Sequence, residues 1–287
     1  MRWSAPRSGL VFAAKKGVSV RKLASACVAL AASMAVGAHS LFAAPVFYDG
    51  TLGTLADDQG WIGFIPFTSG ASQTLHPTSL TMNTSSSLGE VAGLFRNAGG
   101  PLDAGWPSFS AASGYTLRFD VRIDAESHAS VNRAGFSVLI VGATPSESIE
   151  LGFWTDRIWA QNGGASPTLF TQGEGVAFNT AAAIVRYDLA VSAGSYSLYG
   201  NGALVLSGAL RDYTLFDPVA SGVPFSPYIV PNFLFLGDNT RSASATTTVS
   251  RVEFIPQVVP TPGVAVVLGG MVAIAGRRRR GSGVRGG

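Results

Sequence analysis

Cysteine and lysine are nearly absent from this chain, and both are confined to its first residues. The one cysteine among 287 residues is Cys27, and the three lysines are Lys15, Lys16 and Lys22. All four lie in a segment that we expect to be removed, so the mature chain would have no thiol. This excludes disulfides, thiol catalysis and cysteine-ligated zinc. Stability must then come from packing, and a body of about 210 residues is long enough for one substantial core.

Charge is also sparse, and its distribution separates the two ends of the chain from the middle. Of the 20 basic residues, six lie in the first 44 positions and five follow Gly276, which leaves nine arginines in the body. All 17 acidic residues lie in the body, so its formal charge is 9 − 17 = −8. The overall pI of about 9.2 therefore describes the two ends and not the body. An acidic body disfavours nucleic acid and other polyanions as partners.

The first 44 residues have the pattern of a secretory signal peptide. A basic stretch without acids, residues 1–22, precedes an apolar run at residues 23–36, and small residues continue to Ala44. This order of basic, apolar and small residues directs a chain to the export machinery, here the Sec system. We expect the mature protein to begin between Leu41 and Pro45.

The far end of the chain has the pattern of a sorting signal: a short proline motif, an apolar run and an arginine cluster. The apolar run, residues 263–276, would form a helix of about 21 Å, short of a hydrocarbon core of roughly 30 Å. We therefore expect a transient anchor. The arginines hold their end on the cytoplasmic side, so the preceding chain faces outward. The motif and the cluster are Val259, Pro260, Thr261, Pro262, Arg277, Arg278, Arg279 and Arg280.

With these residues the C-terminal end resembles that of the bacterial PEP-CTERM proteins, although Thr261 stands where their motif has glutamate. The resemblance implies recognition by an exosortase-type membrane transpeptidase, cleavage near the proline motif, and delivery to the cell surface or an exopolysaccharide matrix. The alternatives are a simple tail anchor and a basic tail that binds nucleic acid. The second lacks aromatic residues between the arginines, on which bases would stack.

The body shows no sustained helical periodicity, whereas alternation of apolar and polar residues recurs. In residues 115–123 the odd positions are apolar and the even positions are polar or charged, as in a half-buried antiparallel strand. Gly200-Asn201-Gly202 predicts a hairpin, because Asn and Gly tolerate positive φ. Short strands without intervening helices predict an all-β fold, an antiparallel β-sandwich. Further strands are predicted at residues 134–141, 149–154, 184–191, 196–199, 203–206, 233–236 and 247–254.

Residues 51–113 are less regular and rich in Gly, Ser and Thr, so we expect short edge strands and long loops there. These patterns divide the chain into five parts. They are a signal peptide (1–44), a β-sandwich domain (45–256), a linker with the proline motif (257–262), an apolar sorting helix (263–276) and an arginine-rich cytoplasmic tail (277–287).

Several short segments of the body resemble a bacterial "choice-of-anchor" domain, over roughly residues 46–255. They include Asn132-Arg133-Ala134-Gly135-Phe136, residues 150–154, 158–161 and 211–213, and residues 231–240. The resemblance implies a surface protein with a concanavalin A-like jelly roll, and it supplies no activity.

Paired carboxylates are the first candidates for chemistry, because glycoside hydrolases place two acids about 5 to 9 Å apart across the scissile bond. Glu147 and Glu150 are three positions apart, so on a strand they would point to opposite faces. Asp120, Asp124 and Glu126 share one face, but alternating charge on an exposed sheet is commonly solvated and paired across strands. We therefore expect no enzymatic activity, with a secreted polysaccharide-cleaving hydrolase as the alternative.

Histidine is scarce in the body, which contains His76 and His128. Ser-His-Asp catalysis requires a positioned imidazole, and His128 is a candidate base or orienting donor. A loop histidine is the simpler interpretation. No glycine-rich phosphate loop, HExxH motif or EF-hand pattern is present in the sequence.

Two tryptophans lie close in sequence to planar polar side chains, a combination that carbohydrate sites use for stacking and for hydroxyl recognition. Tryptophan in a β-sandwich is otherwise usually part of the core. The expected ligand is an extracellular polysaccharide. The candidate ligand-binding residues are Trp159, Trp154, Asp156, Gln161 and Asn162.

A structural Ca²⁺ is the one cofactor that the sequence raises. Asp238 and Asn239 beside Gly237 would join Asp49 as oxygen ligands. An Asx turn explains Asp238 and Asn239 equally well.

These patterns together predict an exported, surface-associated, non-enzymatic β-sandwich that associates with a matrix or binds polysaccharide. It would meet the membrane only through the sorting helix. Two acids facing a groove would favour the hydrolase alternative, whereas an aromatic strip without such a pair would favour binding.

Overall fold

The computed structural model describes residues 44–62, 70–89, 91–96, 106–222 and 225–258. The signal peptide, the proline motif at 259–262, the apolar run and Arg277 to Arg280 lie outside the described residues, and the expectations for them stay predictions. None of the helices in the described ranges has the length and apolar character needed to cross a bilayer. They are three short 3₁₀ helices, at Gly50–Leu52, Asp57–Gln59 and Pro227–Ile229.

Eight strands form one antiparallel sheet. They are β1 (Val46–Asp49), β2 (Ser72–His76), β3 (Ser79–Asn83), β5 (Tyr115–His128), β10 (Val185–Ser192), β11 (Ser195–Gly200), β12 (Ala203–Ala209) and β14 (Ala243–Ile255). Their order is β12-β11-β10-β5-β14-β3-β2, with β1 also paired to β14. The two longest strands, β5 and β14, lie side by side, and their register extends from His128–Ala243 to Thr116–Ile255.

Six strands form the second sheet. They are β4 (Ala92–Arg96), β6 (Ser137–Val141), β7 (Ile149–Phe153), β8 (Arg157–Gln161), β9 (Gln172–Ala177) and β13 (Phe233–Asp238). Their order is β4-β13-β6-β7-β8-β9, and every pairing is antiparallel. The predicted antiparallel β-sandwich is confirmed. Each of the eight segments predicted as a strand forms one.

The core lies between the sheets and consists of the apolar positions of alternating strands. Leu117, Phe119 and Val121 of β5 are buried in one cluster with Leu151 and Phe153 of β7. The rings of Phe119 and Phe153 meet edge to face, with centroids 6.1 Å apart. Burying one such side chain stabilises the folded state by about 1.5–3 kcal/mol. The alternation in the sequence therefore determines which face of each strand turns inward.

The outer face of the eight-stranded sheet carries a network of cross-strand ion pairs, formed by the charged positions that alternate with the core residues. Four pairs join neighbouring strands, namely Arg186–Asp120, Arg118–Asp188, Arg118–Glu253 and Arg251–Asp49, and Arg251–Glu253 lies within β14; the N–O distances are 2.6–3.0 Å. Asp124 pairs with Arg122 on the same sheet. The charges of this face are therefore used for pairing across strands, as expected for an exposed sheet surface.

The hairpin predicted at residues 200–202 joins β11 to β12. Asn201 and Gly202 have φ of 49° and 83°, the left-handed conformation that a two-residue hairpin turn requires. In the irregular region, β2 and β4 are edge strands as expected, whereas β3 is internal to its sheet. Strands β1, β8 and β9 have no counterpart among the sequence predictions.

Candidate functional site

The two candidate tryptophans lie on the outer face of the six-stranded sheet and are covered by the loop that precedes β6. Nε1 of Trp154 donates to the carbonyl of Arg133 at 2.9 Å, and Nε2 of Gln161 donates to that of Asn132 at 3.1 Å. Trp159 is completely buried, and its ring meets that of Trp154 edge to face at 4.6 Å. The expectation of an exposed stacking platform at Trp159 is thus corrected, because the protein itself covers both faces of the ring.

A row of small residues makes the space for Trp159. Strand pairing aligns six outward positions across the whole sheet: Gly93, Gly237, Ser137, Gly152, Trp159 and Gly175. A Cβ atom at Gly152 would lie 2.6 Å from the Trp159 ring, and one at Gly93 would lie 2.5 Å from the Phe235 ring. The glycines therefore let two aromatic rings lie directly against the sheet.

The polar members of the predicted set contribute mainly to the fold. Gln161 is buried, and Nδ2 of Asn162 donates to Thr171 Oγ1 and to the carbonyl of Gln172, both at 3.1 Å. Asp156 lies exposed in the turn between β7 and β8. The structure thus brings the five residues into one region of the sheet without forming an open site from them.

His128 is the last residue of β5, and not a loop residue. Its ring is parallel to that of Trp154, and its Nδ1 lies 3.0 Å from a carboxylate oxygen of Glu126. Burial raises the pKa of Glu126, and the hydrogen bond and charge of His128 oppose that rise. Within the described part of the chain, the side-chain partner of the imidazole is this acid and not a serine hydroxyl, so a Ser-His pair is not formed.

The structure places the two candidate calcium ligands far apart. Asp49 pairs with Arg251 at 2.9 Å, whereas Asp238 accepts from the hydroxyl of Thr84 at 2.8 Å, and the backbone N–H of Thr84 donates to Ala245. Positions 245 and 251 are six residues apart on β14, roughly 20 Å at about 3.3 Å per residue. The two carboxylates therefore do not share one ion, which corrects that candidate set.

Asp238 forms the Asx turn that was the alternative interpretation. Its second oxygen accepts from the backbone N–H of Thr240 at 3.1 Å. Across the ranges that the structure describes, no three His, Cys, Asp or Glu side chains lie together as a metal site would require.

A cavity of about 320 Å³ lies on the outer face of the six-stranded sheet, and aromatic rings dominate its lining. The floor is formed by outward-facing residues of β4, β6 and β13, namely Phe95, Leu139, Phe233 and Phe235. The walls come from the loops after β8 and β12, with Phe170, Phe216, Phe225 and Tyr228. We call this the aromatic cavity.

A buried carboxylate lies behind the wall of the aromatic cavity, hydrogen bonded to two of the residues that line it. The two oxygens of Glu150 accept hydrogen bonds from Tyr228 Oη and Asn239 Nδ2, both at 2.8 Å. Behind it, Tyr213 Oη accepts from the Glu150 backbone N–H at 3.1 Å and donates to the carbonyl of Gln161 at 2.8 Å. Burial raises the pKa of Glu150, although the Asn239 hydrogen bond and the charge of Arg133 act in the opposite direction.

Arg133 lines the same cavity from the loop before β6. Its Cζ lies 4.5 Å from the centroid of the Phe170 ring, a cation–π contact. Among the described residues, its guanidinium forms no ion pair and no hydrogen bond. The cavity thus combines apolar rings with a small number of polar groups on one wall, the composition typical of small-molecule sites.

The outward positions of the six-stranded sheet carry one carboxylate within the described residues, that of Glu150. Glu174 of β9 instead accepts from Tyr196 Oη on the opposite sheet at 2.7 Å, and Asp238 faces Thr84. The described residues therefore do not place the acid pair of a glycoside hydrolase on this face.

Sequence reasoning missed the aromatic cavity because its rings come from segments that are far apart in the chain. One signal was present: residues 233–236 are apolar at every position, which indicates a strand buried on both faces. The outer face of β13 therefore had to be covered, but the sequence does not show by which loops.

No family model and no curated protein matches this chain. Among solved structures, a protein of unknown function with a galectin-like fold from Bacillus subtilis is 11% identical with a TM-score of 0.42, over 75% of this chain and 97% of that one. Alginate lyase A1-II′, a member of polysaccharide lyase family 7, is 12% identical with a TM-score of 0.40, over 69% and 87%.

The binding domain of Botulinum neurotoxin DC is 9% identical with a TM-score of 0.40, and the match covers 71% of this chain and 45% of that one. This chain thus spans less than half the length of that structure.

Proposed function

We propose that this protein is an exported, surface-associated, non-enzymatic binding protein whose aromatic cavity holds a sugar residue of an extracellular polysaccharide. The observation that carries the proposal is the composition of that cavity. Aromatic rings, which stack on the apolar face of a sugar, line it beside Arg133, Asn239 and Tyr228, whose planar or hydroxyl groups recognise sugar hydroxyls.

The size of the cavity supports a short ligand segment. A volume of about 320 Å³ lies at the lower end of the range for small-molecule sites, roughly 300–1,000 Å³. The cavity therefore suits one or two residues of a polymer more than an extended stretch.

The alternative function, cleavage of a polysaccharide, requires two acids on either side of the scissile bond. Within the described residues Glu150 is the one carboxylate at an outward position of this sheet, and both of its oxygens are already hydrogen bonded, which supports binding over cleavage.

The proposed location depends on the two ends of the sequence. The signal-like segment at 1–44 supports export by the Sec machinery, and the pattern from Val259 to Arg280 supports sorting by an exosortase-type transpeptidase. The body's net charge of −8 supports a partner other than nucleic acid.

A glycan array probed with the full chain and with residues 45–256 tests this function. We expect binding to a restricted set of glycans, weakened at least tenfold by Phe225→Ala. Phe225 lines the cavity and is 44% exposed, so its loss should leave the fold intact. Leu215→Ala is the matched control, because Leu215 is 63% exposed and does not line the cavity.

Two results would reject the proposal. One is equal binding by wild type and Phe225→Ala. The other is release of new reducing ends from a bound glycan, which would favour the hydrolase.

A further inference from the structure

We infer that the aromatic cavity selects a sugar residue that carries a carboxylate, and that Arg133 is the residue that binds this group. The inference rests on the proposed function, since it takes the aromatic cavity as the sugar site. It adds the chemical class of the sugar, a uronate or a similarly acidic residue.

The first argument is the state of the Arg133 guanidinium. Arg133 is half-buried, and its guanidinium lies against the Phe170 ring in a cavity lined mainly by aromatic carbon. Among the described residues it forms no ion pair or hydrogen bond, and the negative charge that acts on it is that of the buried Glu150. A charged group in apolar surroundings is costly unless it is paired. A guanidinium is also a planar fork of N–H donors that matches the two oxygens of a carboxylate. The ring of Phe170 holds the plane of this fork at the cavity wall.

The second argument is that the nearest acid does not satisfy Arg133. Glu150 is fully buried on β7 and already accepts from Tyr228 and Asn239 through its two oxygens. The other titratable groups around it are the Tyr213 and Tyr228 hydroxyls, which burial keeps neutral by raising their pKa. Burial raises the pKa of Glu150, which weakens its charged form as a partner for Arg133.

The body's net charge of −8 limits the kind of acidic ligand. Long-range repulsion disfavours a dense polyanion, but it is screened beyond about 10 Å at 0.1 M ionic strength. The contact with Arg133 acts within that distance. The inferred ligand is therefore a glycan with isolated carboxylates and not a continuous polyuronate.

Three probes separate the features of the ligand in calorimetric titrations of the full chain. Methyl glucuronide has a sugar ring and a carboxylate, methyl glucoside has the same ring without the carboxylate, and hexanoate has the carboxylate without the ring. We expect glucuronide to bind at least tenfold more tightly than glucoside, and hexanoate to bind more weakly than glucuronide. This preference should increase as the pH is lowered through the raised pKa of Glu150, because protonation of Glu150 removes a negative charge that acts on Arg133.

Variants then assign the preference to Arg133. Arg133→Gln should bind glucuronide and glucoside equally, and Arg133→Lys should keep part of the preference. The control is Arg186→Gln, which removes an exposed arginine on the other sheet and should leave both affinities unchanged. A thermal melt of each variant establishes that the fold is intact.

The possible failures are distinguishable. Equal binding of glucuronide and glucoside by the wild type, with no effect of Arg133→Gln, would overturn this inference and leave the sugar site in place. Hexanoate binding as tightly as glucuronide would support the carboxylate contact with Arg133, but it would overturn the inference that the ligand is a sugar. Failure of the wild type to bind either sugar, together with no glycan bound on the array, would overturn the proposed function itself.

Discussion

The imidazole of His128 lies parallel to the indole of Trp154, with ring centroids 3.9 Å apart and an angle of 2° between the planes. His128 ends β5 of the eight-stranded sheet, and Trp154 follows β7 of the six-stranded sheet. The stacked pair therefore joins the two sheets at one end of the sandwich. At the edge of the same ring, Nδ1 of His128 lies 3.0 Å from a carboxylate oxygen of Glu126. These aromatic residues therefore act as structure at a place where the sequence suggests chemistry.

Trp159→Ala should reduce the free energy of unfolding by about 3–5 kcal/mol, because it empties the space above Gly152 and Gly175. Trp159→Phe should cost less, since it keeps a ring in that space. Urea unfolding of both variants measures the difference. A loss below about 1 kcal/mol in Trp159→Ala would mean that the ring is not part of the packed structure.

Glu150→Gln should become more stable relative to wild type as the pH rises. The pKa of Glu150 in the folded protein is raised from the ordinary value of 4.5, so above pH 4.5 the unfolded state loses its proton first. Wild-type stability therefore falls with rising pH until the pKa of the folded state is passed. Glu150→Gln lacks this carboxyl group, so its free energy of unfolding does not decrease in the same way.

Unfolding in urea at pH 4, 5, 6 and 7 measures this difference for the Glu150 variant. Asp58→Asn, at an exposed position, controls for the loss of one negative charge. A constant difference between wild type and Glu150→Gln over that range would contradict the prediction.

Gly135→Ala should destabilise the sandwich by about 1–3 kcal/mol or more, because the added methyl group has no room. Its Cβ would lie 2.0 Å from the backbone carbon of Ser244, an atom that cannot rotate away. At Gly89 the nearest atom to such a Cβ is 3.5 Å away, so Gly89→Ala is the matched control. Thermal melts should show a lower Tm for the first variant alone, and equal Tm values would refute the close packing at Gly135.

If the C-terminal pattern is the processed sorting signal that we propose, the protein isolated from its native cells should lack Arg277 to Arg280. Intact-mass analysis of the surface fraction tests this, and recovery of the arginine cluster there would contradict it. Deletion of these four residues should abolish surface retention while the Tm of the body stays unchanged. A large fall in Tm would instead mean that the tail belongs to the core.

The sequence predicted the strands with a clear pattern and missed those without one. Alternation in residues 115–123 was sufficient to place β5, since one face of it is core and the other is charged. Strand β2 (Ser72–His76) is largely exposed and mostly polar, so the sequence predicted short edge strands in its region but not their bounds, and β2 exists as a strand through its pairing with β3. Strand β8 is short and mostly buried on both faces, so it shows no alternation.

The site was harder to predict than the fold because it depends on register. The burial of Trp159 depends on Gly152 and Gly175. These two glycines become neighbours of Trp159 only after β7, β8 and β9 have paired. The contact between Arg133 and Phe170 likewise joins two loops that are 37 positions apart. A single sequence supplies the residue types for these contacts but not their partners.

Strand β14 also determines how the molecule would stand on a surface. The backbone N–H of Phe254, near its end, donates to Pro45, so the described chain enters and leaves at the same end of this strand. Its 13 residues span roughly 40 Å at about 3.3 Å each, and the loops that carry Arg133 and Asn239 adjoin its opposite end. If the chain is tethered beyond Val258 as proposed, the attachment point and the loop of Arg133 lie at opposite ends of the sandwich, separated by about the length of β14.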